Sequence, residues 1–291
     1  MHAEDLERKG PHVLTYKVDK DNIKQRKTPS IYINMASLEF FCNNILPKVA
    51  APIVLITGDS DIPLPNSKFN VTFIKRLLSH PMIKRWYCQN LCYETDNLHP
   101  LPIGMDYHTL SFMERWGEKK ASSMAQEEQL VSIKDKSKPF WERKIQCYVN
   151  FKGCIKHEDG TLVEYADIRQ EAIDRIDPNL SFIDVKKVSR SESWTRQTEY
   201  AFVVSPPGNG LDCHRTWEAL NLGCIPIIIR VKFTAESEWQ FSCYDELPVL
   251  IVDKWEDITQ DLLDKTITEF REKEFNYDKL TLKYWVDEVH K

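Results

Sequence analysis

The stretch from Phe202 to Ile229 holds the densest set of residues able to do chemistry. Within it Arg215 and Glu218 lie three apart, which puts both on one face of a helix. A guanidinium suits a phosphate, and a carboxylate accepts a fork of hydrogen bonds from vicinal hydroxyls. Together they describe a nucleotide-sugar site. Just upstream, Ser205-Pro-Pro-Gly-Asn-Gly210 is packed with turn formers. Gly208 and Gly210 are expected to take positive φ and bring backbone close to a ligand. Asp212 is the expected cap of the following helix, whose free N–H groups would then face the turn. Ser205, Gly208, Asn209 and Gly210 therefore join Arg215 and Glu218 as candidate ligand residues, with Asn150 and Lys152 past the apolar run that starts at Ile145. A plainer reading competes, because glycine-containing turns between strand and helix recur in α/β proteins and charges on a first helical turn often only cap it.

Acids follow two other apolar runs. Asp59 and Asp61 come after Pro52–Thr57, and Asp106 and His108 come after Pro102-Ile-Gly-Met. Strand exits are where open α/β sheets bind ligands. A carboxylate of pKa near ~4 is ionised at neutral pH and can take a proton from a hydroxyl. Asp59 is the first choice for such a base, since Gly58 permits a tight exposed turn; Asp106 and His108 are its rivals. A turn-forming or capping role is the structural competitor for each.

These residues need a scaffold of alternating strands and helices. Strands are expected near His12–Lys17, at Ile31–Asn34, at Pro52–Thr57, within Asn70–His80 ahead of a helix, and at Lys84–Asn90 and His99–His108. Residues 115–140 are strongly charged and fit a surface helix and linker. Further strands are expected at Ile145–Lys152, Ser181–Val185, Ala201–Val204, Ile225–Ile229 and Val249–Val252, with helices at Tyr165–Ile176 and Glu192–Tyr200. Gly223 fits a helix stop. The tail from Leu262 to His290 is helical by pattern, with Leu282, Trp285, Val286 and Val289 as its apolar stripe. The order implies an α/β protein of two Rossmann-like domains, 1–139 and 140–265, followed by a C-terminal helical segment, 266–291.

The run Ser205-Pro-Pro-Gly-Asn-Gly-Leu-Asp-Cys-His-Arg-Thr-Trp-Glu-Ala-Leu-Asn-Leu-Gly-Cys-Ile-Pro226 resembles the signature of exostosin-type glycosyltransferases and their relatives in large DNA viruses, including viral xylosyltransferases. The resemblance implies the GT-B architecture, with the C-terminal helix crossing back to the first domain. It implies an inverting transfer of a sugar, with xylose as best guess, from a UDP-sugar donor to a glycan or glycoprotein acceptor. It also implies ribose binding by Glu218, phosphate contacts from the Asn150-Phe-Lys152 loop and from Arg169, and a base from the first domain. Such sites replace a divalent ion with helix dipoles and basic side chains, so no cofactor is expected. Asp59-Ser-Asp61 keeps open a GT-A-like alternative, in which the Asp-x-Asp pair holds Mn²⁺ or Mg²⁺. A noncatalytic nucleotide-sugar or glycan binder is the other alternative.

Composition narrows the field. With 42% hydrophobic and 29% charged residues and a net charge of −5, the chain is globular and ill suited to a nucleic-acid surface. The absence of a Gly-x-Gly-x-x-Gly after the first strand argues against a Rossmann oxidoreductase. No apolar run reaches the ~20 residues of a membrane span and the first residues are no signal peptide, so a soluble cytoplasmic protein is expected. Cys147, Cys224 and Cys243 sit in apolar runs and are expected in the core, whereas Cys88-x3-Cys92 lacks a second zinc-spaced pair. Trp86, Tyr87, Tyr107 and Trp116 are candidate sugar platforms or core residues.

Overall fold

A computed structural model of the chain describes residues 6–8, 14–16, 28–153, 165–184, 187–234, 237–239 and 241–291. A short antiparallel ribbon of β1 (Leu6–Arg8) and β2 (Leu14–Tyr16) comes first. It covers part of the strand expected at His12–Lys17, of which His12, Val13 and Lys17 lie outside the described residues. The first sheet is β3 (Ser30–Asn34), β4 (Ile53–Gly58), β5 (Ile83–Cys88) and β6 (Leu98–Pro100), parallel throughout and in that spatial order. Every residue of β4 is buried, as a continuous apolar run in a parallel sheet requires.

After β3 the segment 35–48 winds through 3-10, α and π turns rather than one regular helix, and Pro47 starts its last turn. One side of it is still apolar and faces the core. Leu38, Phe41 and Leu46 pack with Leu55, Ile74 and Trp86. Asn70 begins no strand, contrary to expectation. Its Oδ1 accepts from the Phe73 N–H at 3.0 Å and so caps α1 (Val71–Leu78) directly.

The second sheet contains β7 (Lys144–Val149), β8 (Ser181–Ile183), β9 (Tyr200–Val204), β10 (Ile225–Ile229) and, after the small ribbon β11 (Lys232–Thr234) and β12 (Ser237–Glu238), β13 (Leu250–Val252). All its pairs are parallel, in the order β13-β10-β9-β7-β8. The chain runs outward from β7 to β8, then returns to the other side of β7 as β9. The order therefore reverses between β7 and β9, and ligands of open parallel sheets bind outside the carboxyl ends at such a reversal. Among the described strands the first sheet has no reversal.

The helices of the second sheet include α2 (His108–Phe112), α3 (Ser123–Asp135), α4 (Ala166–Arg175), α5 (Arg190–Gln197) and α6 (His214–Asn221). Although α3 is highly charged, it buries Leu130 in a core with Tyr148, Trp194 and Val203. Tyr200, expected at the end of a helix, instead opens β9. The tail is two helices, α7 (Gln260–Arg271) and α8 (Leu282–Val289), not one. Of the expected stripe on α8 only Val289 is buried, packed with Val54, Ile56 and Tyr87, while Leu282 is 76% exposed. Two helical turns meet the sheet at one end only.

By contact the chain groups into two compact units. One is Met1–Ile103 with Lys232–Cys243 and Thr281–Lys291, and the other is Gly104–Val231 with Tyr244–Leu280. Among the described residues no helix is long and apolar enough to cross a membrane. Cys147, Cys224 and Cys243 are core residues. Cys88 and Cys92 are buried too, and burial pushes the Cys88 thiol up to about 12.

Gly223 stops α6 with φ +71°. The start of that helix differs from expectation. Cys213 is the N-cap residue, and Asp212 does not cap. Asp212 is buried and accepts from Trp217 Nε1 at 2.9 Å and from the Tyr244 hydroxyl at 2.6 Å. Those two donors draw the carboxylate inward, away from the turn. Asp212→Ala should therefore destabilise the protein by about 1–3 kcal/mol for each orphaned donor, measured by urea unfolding.

Candidate functional site

The reversal between β7 and β9 places two loops side by side, 150–153 after β7 and 205–213 after β9. The second loop is held from within. Ser205 is buried, and its hydroxyl pairs with Thr216 Oγ1 at 2.8 Å and with Cys213 Sγ at 3.3 Å. Gly208 N–H donates to the Gly210 carbonyl at 2.8 Å, closing the turn around Asn209. Neither Gly208 nor Gly210 has positive φ, contrary to expectation. A Cβ on Gly208 would meet Cys213 Cβ at an ordinary 3.6 Å, so the turn closes by its hydrogen bond rather than by left-handed backbone.

Phe151 is the centre of the cationic part. The Arg215 guanidinium, from the first turn of α6, lies 5.1 Å from its ring centroid, and that of Arg169, from α4, lies 5.7 Å away. Arg215 Nη1 donates to the Pro206 carbonyl at 3.3 Å. Arg169 is buried, and its Nε has no hydrogen-bond partner. Burial, and then the charge of Arg215, pull its pKa down to about 10, which still leaves it protonated at pH 7. Among the described residues no carboxylate pairs with either arginine. Lys152, next to Phe151 in the sequence, is exposed, and Asn150 Nδ2 donates to Ser193 Oγ, which ties the β7 loop to α5.

Glu218 lies one turn along α6 from Arg215. Its Oε1 accepts from Arg190 Nε at 3.1 Å, and Arg190 Nη2 stands 3.0 Å from the same oxygen, too oblique for a hydrogen bond. The Arg190 side chain is 5% exposed and that of Glu218 16%. Arg190 was not foreseen in the sequence. An isolated arginine opening a polar helix carries no local mark of burial.

The remaining candidates separate. Asp106 and His108 belong to the second unit with α6, not to the unit of the first sheet. Asp106 is buried and caps α2, accepting from Thr109 N at 2.9 Å and from the Thr109 hydroxyl at 2.8 Å. His108 Nδ1 sits 2.9 Å from Asp106 Oδ1. Burial would raise the Asp106 pKa, but the two Thr109 bonds and the charges of His214 and His108 outweigh it and lower the value. His214, also unforeseen, opens α6 with its ring 6.5 Å from that of His108. Its Nδ1 lies 2.7 Å from the Gly104 carbonyl, which makes Nδ1 the donor. In front of His108 is an open hollow of about 360 Å³ lined by His108, Thr109, Phe112, Met113, Arg115 and Trp116.

Asp59 ends β4 in the first unit. The positive φ falls on Asp59 itself, at 50°, and not on Gly58, where a Cβ would come 2.9 Å from the Tyr32 hydroxyl. Asn34 Nδ2 donates to the Asp59 carbonyl at 2.6 Å and to its Oδ2 at 3.2 Å. Tyr32 is pushed up to about 12, by burial and then by the Asp59 charge. Asp61 is exposed, and among the described residues no three His, Cys, Asp or Glu side chains cluster closely enough to hold a metal. Of the aromatic candidates, Trp86 and Tyr87 are core, whereas Trp116 lines the hollow.

No family model and no curated protein matches the chain, so the exostosin resemblance rests on the signature alone. A solved structure of an alpha1,3-fucosyltransferase is similar over 91% of this chain and 82% of its own, at 12% sequence identity and a TM-score of 0.30. So slight a likeness leaves fold and function to rest on the chain's own residues.

The Asp106 geometry sets a pH dependence. Its folded pKa lies below its unfolded value, so its stabilisation is present above the unfolded pKa near ~4 and is lost as pH falls through the folded value. Asp106→Ala should cost about 0.5–2 kcal/mol at pH 7 in chemical unfolding. The gap from wild type should narrow as the pH is taken below ~4.

Proposed function

We propose that the protein is a glycosyltransferase that takes a sugar from a UDP-sugar donor and passes it to a glycan or glycoprotein hydroxyl. One observation carries this reading. Two guanidiniums share the Phe151 ring at the reversal of a parallel sheet, and no carboxylate among the described residues neutralises them. Like charges held together with one Nε unpartnered are a site waiting for a polyanion, and a nucleoside diphosphate supplies one. The N-terminus of α6 adds its dipole to the same place. Glu218 stands where it can accept ribose hydroxyls. Uridine, and xylose as the sugar, rest on the resemblance, as do the GT-B arrangement of the two units and the crossing of the final helix.

In the reaction the diphosphate leaves with its charge held by Arg169, Arg215 and the helix end, so a divalent cation is not needed. The acceptor hydroxyl loses its proton to a base as it attacks the anomeric carbon from the face opposite the leaving group, which inverts configuration. Asp59 and the Asp106–His108 pair are the candidates. The geometry favours His108, because Asp106 orients its ring and an open hollow fronts it.

Calorimetry should show tighter binding of UDP than of GDP, ADP or CMP. Arg169→Ala and Arg215→Ala should each weaken UDP by about tenfold or more, the equivalent of one charge-assisted contact. Preference for GDP would overturn uridine, and wild-type affinity in both variants would remove the phosphate site.

Donor turnover followed by NMR should survive EDTA and release the sugar with inverted configuration. His108→Gln should slow it by ~10²–10⁴ with UDP affinity nearly unchanged. If Asp59→Asn does so instead, the base lies in the first unit. Retained configuration, or activity restored only by Mn²⁺, would refute this mechanism.

A further inference from the structure

Arg190 is spent on one oxygen of Glu218. Both its Nε and its Nη2 approach Oε1, at 3.1 and 3.0 Å, whereas an arginine and a carboxylate commonly pair in a fork that occupies both oxygens. The neighbours prevent the fork. Arg190 Nη1 donates to Gln126 Oε1 at 3.0 Å, and Gln126 is itself buried and fixed by its Nε2 bonds to the carbonyls of Tyr107 and Ala121, both at 2.9 Å. The guanidinium also lies 4.4 Å from the Trp194 ring and 5.1 Å from that of Trp116, so it has little freedom to rotate. Among the described residues Glu218 Oε2 therefore has no partner, and the side chain keeps a small exposed window.

We infer that Arg190 is a positioning residue, holding Glu218 by Oε1 so that Oε2 is presented to the hydroxyls of a ribose. This rests on the nucleotide-sugar reading above and adds a selectivity to it. An ionised carboxylate oxygen only accepts hydrogen bonds. A ligand lacking the hydroxyl leaves the fixed Oε2 without that donor, so the site binds it more weakly. The class selected is ribonucleotides over their 2′- or 3′-deoxy forms.

The test compares UDP, 2′-deoxy-UDP, 3′-deoxy-UDP and inorganic pyrophosphate by calorimetry. Wild type should bind at least one deoxy form about tenfold or more weakly than UDP. Arg190→Lys keeps the charge but loses the planar guanidinium, and the preference should fall to within about threefold while pyrophosphate affinity holds. A lone buried charge can unfold a variant, so the double variant Arg190→Met/Glu218→Leu serves beside it. Replacing a whole buried pair by apolar residues is often neutral for stability. If the pair is merely structural, the double variant folds and still prefers UDP, which overturns the inference. The expected result is a folded double variant that binds pyrophosphate as wild type does but no longer distinguishes ribose from deoxyribose. Equal binding of UDP and both deoxy forms by wild type also overturns the inference and leaves the transferase reading standing. Failure of wild type to bind any nucleotide removes both.

Discussion

The pair of buried Arg190 and part-buried Glu218 is the constraint on which the second unit depends. Removing one partner of such a pair typically costs ~3–5 kcal/mol, a large share of the ~5–15 kcal/mol by which a domain is stable. The pair joins α5 to α6, and Gln126 joins both to α3. Trp116 and Trp194 enclose the guanidinium, so desolvation strengthens its hold on Glu218 while excluding alternative partners. The segment bearing Asp106 and His108 is tied to the same frame, because Gln126 donates to the Tyr107 carbonyl. One polar node thus sets the relative placement of α6, which bears Arg215, and the segment that bears Asp106 and His108.

The second organising fact is the strand order. At the reversal the loops after β7 and β9 lie side by side, and the chain puts Phe151 on one and Arg215 beside the other. Arg169 reaches the same ring from α4. Two cations in a partly desolvated place repel, and burial first and then the Arg215 charge lower the Arg169 pKa. The fold tolerates that repulsion because the strands, and the Ser205–Thr216 bond across the loop, fix both backbones. An anion entering there would meet donors already in place, and it would pay little for reorganisation.

Much of the scaffold was legible in the sequence, because buried parallel strands are continuous apolar runs bounded by turn formers. Ile53–Gly58, Tyr200–Val204 and Ile225–Ile229 carry that mark, and every residue of each is buried. Where the reading failed, a long-range contact overrode a local preference. Asp212 has the chemistry of a cap but is captured by Trp217 and by Tyr244, thirty-two residues away. The glycines of the turn needed no positive φ because a backbone bond closes it. On α8 the apolar periodicity is real, yet only its last turn meets a sheet. The candidate site was half visible. Arg215 and Glu218 are marked by their spacing, but Arg190 and His214 acquire meaning only from partners 28 and 110 residues distant.

That division follows from what each part of the site must do. Groups that touch a ligand are brought together by a turn and a helix face, whose spacing is local and therefore readable. Groups that orient them act through packing, so their partners come from distant elements and leave no periodic trace. His214 shows both sides of this. Its place at the first residue of α6 is local, but the donor role of Nδ1 is dictated by a carbonyl at Gly104, on the segment that leads to Asp106 and His108. The two imidazoles and the carboxylate form a group only because that segment packs against α6. Burial works against the Asp106 charge, but the Thr109 donors and both histidines outweigh it and favour the ionised carboxylate. What the group fixes is orientation: the carboxylate that caps α2 also holds the His108 ring, so one set of contacts places both.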